Sequence, residues 1–190
     1  GLAPAEMLSE RSGTPFVAPL PPYGRAGTRH WLEEIAGALP APREKEVQEE
    51  LSRVEKEDFL RLNEIKSMWG ELWFDEALVR APSSMAWGLA RALRTEWADV
   101  RCLAVAAEAA EAADATGIAD EVFSETRTAE LAQFLTSMKN GLLFASSNEA
   151  AQVAPQHAQF LPVASPVLDR IQLTDAPFMG LRGSRFIEEQ

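Results

Sequence analysis

The sequence predicts an α/β fold of three layers, helices on both faces of a mostly parallel sheet. Three observations predict it. From Gly70 onward, short apolar runs alternate with segments of helical periodicity. The runs 100–107, apart from Arg101, and 142–145 are apolar, as strands buried on both faces are. With 190 residues, 46% hydrophobic and 25% charged, the chain can bury a sizeable core, which excludes disorder along its whole length.

The first elements stand apart from that rhythm. The run 14–20 reads as a short apolar strand entering a proline-rich turn over 19–24. A helix is predicted over 26–38, where Leu32, Ile35, Ala36 and Leu39 fall at helical spacing and Pro40 and Pro42 stop the chain. A long charged helix follows over 43–69. Val47, Leu51, Val54, Leu62, Ile65 and Trp69 recur along it at intervals of three and four, with Asp58 interrupting, and its other face is dense in Glu, Lys and Arg. That face reads as solvated rather than as a docking surface.

The βα rhythm then runs to the end. A strand over 72–79 leads to Pro82-Ser83-Ser84, a turn with two N-cap candidates, and a helix over 85–97. The buried strand 100–107 is followed by an alanine-rich helix over 108–116, closed by Gly117, and an edge-like strand over 119–123. A helix over 128–138 carries Leu131, Phe134, Leu135 and Met138 on one face. Asn140-Gly141 turns into the strand 142–145, and Ser146-Ser147-Asn148-Glu149 caps a helix over 148–153. A strand over 160–164 and a turn into a last helix, within 177–190, complete the array. Residues 70–190 thus read as a Rossmann-like domain. One strand and one helix cannot close a core alone, so 1–42 reads as the end of a preceding α/β domain and 43–69 as its connecting helix. The chain as a whole reads as a fragment of something longer.

Composition excludes several functions. A net charge of −11 opposes nonspecific binding to nucleic acid or anionic lipid. One Cys excludes an internal disulfide and a cysteine metal cage, and two His leave little for zinc. The start of the chain has no basic region followed by a long apolar run, and the least polar stretch, 103–113, is broken by Glu108 and Glu111. A cytoplasmic protein is expected. There is no GxGxxG after a strand, no GxxxxGK[ST], HExxH, CxxC or GxSxG, so tight binding of free NAD(P) or nucleoside triphosphate is not expected. Cys102 reads as a small buried hydrophobe, His30 as a surface residue, His157 as a loop residue and the five Trp mostly as packing. No catalytic residue and no metal ligand is assigned.

The last third carries a resemblance. The order of motifs is a strand ending in Ser147-Asn148-Glu149, then Pro166-Val167-Leu168-Asp169-Arg170, then Gly180-Leu181-Arg182-Gly183. It resembles the C-terminal domain of nitrogenase component 1, where an S-x-E turn precedes F-P-[IV]-[FL]-D-R and G-[YF]-x-G. Gly13-Thr14-Pro15-Phe16, Gly27-Thr28 and Trp31-Leu32 look like the end of that family's middle domain, and the charged helix like its connector. The Asp-Arg pair looks most like the β-type subunit or the corresponding cofactor-assembly scaffold subunit; dark-operative protochlorophyllide reductase is related. The resemblance implies an oxidoreductase fragment, inactive in isolation, that helps to form a metallocluster or tetrapyrrole cleft in a multi-subunit complex. It implies a homologous partner subunit and an ATP-dependent iron–sulfur reductase. An iron–sulfur or related metallocluster would belong to the full complex and none to the isolated chain. A noncatalytic cofactor-assembly scaffold or interaction domain of the same fold is the alternative. There are departures. Where the α subunit has a His ligand to its iron–molybdenum cofactor, the nearest residues here are Ala164 and Ser165, and Leu181 replaces the usual aromatic. The family's cluster cysteines belong to an N-terminal domain that this sequence does not include.

The same residues have a physical reading of their own. Pro166 stiffens the exit of the 160–164 strand, and Asp169 and Arg170 can cap or clamp the loop at the carboxyl ends of the strands, where ligands sit in open α/β sheets. Gly180 and Gly183 permit close approach and positive φ ahead of the last helix. Asp169, Arg170, Gly180 and Gly183 are therefore the candidate cofactor-binding residues, on a rim formed by 164–183. Holding the loop is the plainer role for the Asp-Arg pair.

Overall fold

The computed structural model describes residues 3–39, 43–69, 72–107, 117–168 and 177–188, with the backbone alone over 57–69. Its helices are α1 (Ala3–Ser12), α2 (Gly24–Ala38), α3 (Glu44–Trp69), α4 (Ser83–Ala92), α5 (Thr128–Ser137), α6 (Ser147–Ala150) and α7 (Gly180–Glu188). Its strands are β1 (Trp73–Arg80), β2 (Asp99–Ala106), β3 (Glu121–Phe123), β4 (Gly141–Ala145) and β5 (Ala158–Pro162), ordered β3-β2-β1-β4-β5. Every pairing in that sheet is parallel. The expected α/β, Rossmann-like architecture is present.

Strand alternation builds the layers. Ala77, Val79, Leu103, Val105 and Phe144 point to one face and pack against Trp87, Ala90 and Leu93 of the α4 region and Ile187 of α7. Leu78, Ala104 and Leu143 point to the other and meet Leu131 and Leu135 of α5, with Met138 beyond its end. All of β4 is buried and apolar, as are Ala77–Val79 of β1 and Leu103–Ala106 of β2, and these segments are legible as apolar runs, whereas Asp75, Glu76 and Arg101 interrupt the earlier halves of β1 and β2.

α4 continues through a π-helical turn, Leu93–Trp97, that aims two side chains. The indole of Trp97 donates to Ser184 Oγ at 2.9 Å and stacks on Phe144, with ring centroids 6.1 Å apart. The carboxylate of Glu96 accepts from the Arg25 and Ala26 N–H groups at 2.6 and 2.8 Å, satisfying free donors at the start of α2. α2 packs on α3, α4 and α7. Arg29 joins α2 to α3 by pairing with Glu55 and donating to Gln48 at 2.7 Å. Along the exposed face of α3, Lys45 pairs with Glu49 and Arg53 with Glu50.

Several boundaries differ from the sequence reading. Residues 14–20 form no strand: Pro15 and Pro19 have no N–H to give, and no described strand pairs with them. Helix α1 has no buried residue, so no apolar stripe announces it. α4 starts at Ser83 with Pro82 in the cap position and no side-chain cap bond, so neither Ser83 nor Ser84 is the N-cap. β5 begins two residues before the predicted 160, because Gly141 N–H donates to His157 O and Gly141 pairs with Ala158. It ends early because the N–H groups of Val163 and Ala164 both turn onto Ala145 O, at 3.0 and 3.3 Å. α6 stops at Ala150 rather than 153. Trp73 is 59% exposed and is not core. The predicted helix over 108–116 lies outside the described residues.

Arg25 bridges two carboxylates, Glu96 at 3.5 Å and Glu188 at 2.5 Å. Burial pushes the Glu188 carboxyl above its ordinary 4.5; Arg25 opposes this, and the charge of Glu96 adds to it. The ion pair is short, yet burial prevails because one guanidinium serves both acids. The folded state therefore holds this proton more tightly than the unfolded chain. Its stabilising contribution is full below pH 4.5 and is lost as pH rises through the raised value. Asp120 has the opposite sign. Burial raises it, but the Leu103 N–H and Arg94 outweigh burial and hold it below 3.8, so its contribution fades only in stronger acid. We expect urea unfolding from pH 7 down to pH 4.5 to show a rise in stability that Glu188→Gln flattens. A variant with an unchanged pH slope would refute this.

Candidate functional site

The strand order reverses between β1 and β4. From β1 the chain moves through α4 to β2 on one side; from β4 it moves to β5 on the other. Loops leaving the carboxyl ends of β1 and β4 therefore diverge, and a crevice opens between them. It has a volume of about 550 Å³. Arg80 and Pro82 border it after β1, Ala107 after β2, Ser124 and Glu125 after β3, Ser146 and Glu149 after β4, and Ala164 and Ser165 after β5.

Its polar centre is a capping box. Ser146 N–H donates to Glu149 Oε2 at 3.1 Å, Ser146 Oγ donates to the same oxygen, and Asn148 N–H donates to Ser146 Oγ at 3.2 Å. Glu149 is 5% exposed. Its other oxygen, Oε1, meets Arg80 Nη1 at 2.9 Å. The Arg80 side chain remains 46% exposed, so a buried carboxylate anchors a guanidinium that stays open to the crevice. Ser147 ties the rim together: its N–H donates to Pro166 O at 2.9 Å, and its Oγ accepts from Leu168 N–H at 2.9 Å. The Ser165–Pro166 peptide is cis.

The start of the predicted rim thus lies at the carboxyl edge, beside the Ser146 turn. Asp169 and Arg170 lie outside the described residues. Gly180 and Gly183 open α7 instead, and the described lining of the crevice contains neither. Gly180 has φ +74° and donates its N–H to Pro22 O at 2.8 Å. A Cβ on Gly183 would lie 2.3 Å from the carbonyl carbon of Phe178, so the helix can start there only with glycine. Arg80 and Glu149 were not singled out as site residues. Ser146 to Glu149 read only as a helix cap; the signal that could have marked Arg80 is a charge closing the apolar run 77–79 two residues before Pro82.

The donor set does not suit a metallocluster. The crevice offers hydroxyl, amide and carboxylate oxygens and one guanidinium among its described residues. Iron–sulfur clusters take thiolates. Cys102 lies on β2 away from the lining, and burial, with Glu121, Asp120 and Glu76 nearby, pushes its thiol up. His157 precedes β5, at the amino-terminal edge of the sheet. No group of three or more His, Cys, Asp or Glu among the described residues could hold a metal ion. No described helix is long and apolar enough to cross a membrane.

The fold is a doubly wound α/β unit with a polar crevice at its switch point. The family model of the nitrogenase component 1 type oxidoreductases matches residues 1–190, and the chain belongs to that family. Searches of curated proteins and of solved structures find no match.

Proposed function

We propose that this chain supplies one wall of a metallocluster or tetrapyrrole cleft in a multi-subunit oxidoreductase of the nitrogenase component 1 type. The observation that carries the reading is the crevice at the switch point, where buried Glu149 presents Arg80. The described crevice residues offer a cluster no thiolate or imidazole, so thiolate ligands for any cluster come from elsewhere. The part of this chain is to orient and to exclude water: Arg80 faces an anionic group on the occupant, while Ser146 and Ser165 offer hydroxyls. A homologous subunit closes the cleft, and an ATP-dependent iron–sulfur reductase supplies electrons. The absence of a proton-transferring His or Cys from the described lining favours a second reading, a noncatalytic scaffold that holds a cofactor precursor.

The test uses the intact complex that contains this chain. We expect Arg80→Gln to leave assembly unchanged and to lower cofactor or substrate occupancy at least about tenfold, the effect of losing one charged contact. Turnover by the wild-type complex separates oxidoreductase from scaffold. An Arg80→Gln complex as fully loaded as wild type would overturn the proposal.

A further inference from the structure

Asn140–Gly141 lies at the amino-terminal edge of the sheet, opposite the crevice, where the chain enters β4. Of the three Asn in the sequence, Asn140 alone is followed by Gly. The fold imposes both halves of the pair. Asn140 takes φ +45°, a left-handed conformation that Asn tolerates better than most residues. A Cβ on Gly141 would lie 2.4 Å from Cγ and Sδ of Met138, which is fully buried. The turn therefore keeps a labile dipeptide. Asn is a thermolabile residue, and a following glycine has no side chain to hinder attack of its own nitrogen on the Asn amide carbon. The fold also holds that nitrogen back. Gly141 N–H donates to His157 O at 2.8 Å, and Asn140 O accepts from Asp75 N–H at 3.0 Å. The peptide group between Asn140 and Gly141 is thus tied to β1 on one side and to the start of β5 on the other. The Asn140 side chain is exposed, and its Nδ2 reaches Trp73 O only at 3.5 Å. β5 is an edge strand, and the Gly141–His157 bond stands at the start of its ladder, where bonds open at least cost.

We propose that Asn140 is a site of succinimide formation, gated by opening of the Gly141–His157 bond. With that bond open, base removes the Gly141 amide proton and the nitrogen attacks Asn140 Cγ. The N–Cγ bond forms, the Cγ–Nδ2 bond breaks, and Nδ2 takes up a proton and leaves as ammonia. Water then opens the ring at either carbonyl, giving an aspartyl or an isoaspartyl residue. The balance is an amide and a water in, a carboxylate and an ammonium out, with no oxidant, reductant or cofactor. The isoaspartyl form runs the main chain through Cβ and Cγ. The carbonyl that accepts from Asp75 then leaves the main chain, and a carbon is added ahead of Gly141. Gly141 cannot stay opposite both Glu76 and Ala158, so the modified chain keeps this edge of β4 open. The modification thus marks chains in which the edge has opened. It is independent of the crevice and of the function proposed above.

The test follows the full chain in mildly alkaline buffer, with and without denaturing urea. Peptide mass spectrometry around Asn140 and isoaspartyl methyltransferase labelling are the readouts. We expect conversion at Asn140 in urea, and conversion at least about tenfold slower in the folded chain, where the edge bond must open first. Amide hydrogen exchange at Gly141 measures that opening. The ratio of folded to unfolded conversion rates should match the open fraction from exchange, and both should rise together in urea too dilute to unfold the chain. Asn140→Gly keeps the left-handed turn without the side-chain amide and should show no conversion at this position. The isoaspartyl fraction, separated by its added charge, should lose protection at Gly141 at least about tenfold. No conversion at Asn140 in urea, equal rates in the folded and unfolded chains, a folded rate that does not track Gly141 exchange, or an isoaspartyl fraction as protected as wild type would overturn the proposal.

Discussion

Phe144→Ala is expected to lower the free energy of unfolding by about 4 kcal/mol, in the range measured for large aromatic deletions from cores. Phe144 is 1% exposed, lies in the central strand pair β1–β4, and carries the stacked ring of Trp97 on its face. Neighbours of Phe144 in that core are held in place. Trp97 is held by its bond to Ser184, and Ala77 and Val79 are fixed by the strand they sit on. The cavity should therefore persist and its full cost be felt. Urea unfolding followed by tryptophan fluorescence measures it, and the near-ultraviolet circular dichroism of Trp97 should weaken in parallel. A loss smaller than about 1.5 kcal/mol would mean that the core closes around the gap, contrary to the packing described.

That residue also shows what the sequence makes legible. Leu142, Leu143, Phe144 and Ala145 form an unbroken apolar run bounded by Asn140-Gly141 and Ser146, and hydrophobic burial on two faces leaves that signature wherever it occurs. The carboxyl halves of β1 and β2, Ala77–Val79 and Leu103–Ala106, are visible for the same reason. The segment 14–20 misleads because it is apolar without being paired: strand propensity reports a preference for a half-buried surface, and here there is no ladder to join. α1 lies beyond reach because none of its residues is buried, so no tertiary force imprints a period on it. The shift of β5 to Ala158 depends on register with Gly141, a nonlocal fact that no window of sequence contains.

The site divides in the same way. Gly180 and Gly183 read as positions of positive φ and close approach; Gly180 takes φ +74° and donates to Pro22, and Gly183 lets α7 lie against the Phe178 backbone. Local geometry was readable in them; the part of the fold that needs that geometry was not. The reverse holds for Arg80 and Glu149. They are 69 residues apart in sequence, and only the adjacency of β1 and β4 brings them to 2.9 Å. A cap motif names Glu149 as a helix-starting residue and says nothing of a second partner. The pair becomes visible once the parallel order β2-β1-β4 sets two strand ends side by side.

Glu149→Ala is expected to cost about 3 kcal/mol, the second large effect. Two losses combine. The capping box disappears, leaving Ser146 N–H and Oγ without their acceptor in a buried turn, which costs about 1 kcal/mol on the scale of cap deletions. The carboxylate that neutralises Arg80 disappears as well. Removing one partner of a fully buried pair costs about 3–5 kcal/mol, but Arg80 is nearly half exposed and regains water, so about 2 kcal/mol is the share expected here. Glu149→Gln separates the two. Its amide oxygen can still accept from Ser146, so it should lose only the charge component, about 2 kcal/mol, and that loss should shrink in high salt as screening weakens the original pair. In a double-mutant cycle with Arg80→Ala, the coupling should be at least about 1 kcal/mol, because both side chains serve one contact. The same cycle bears on function. If Glu149 exists to hold Arg80, then Arg80→Ala and Glu149→Gln should impair ligand loading in the intact complex to similar extents without adding. Unfolding of Glu149→Ala within about 0.5 kcal/mol of wild type would show that the box does not hold the turn, and additive effects on loading would show that Arg80 acts without its anchor.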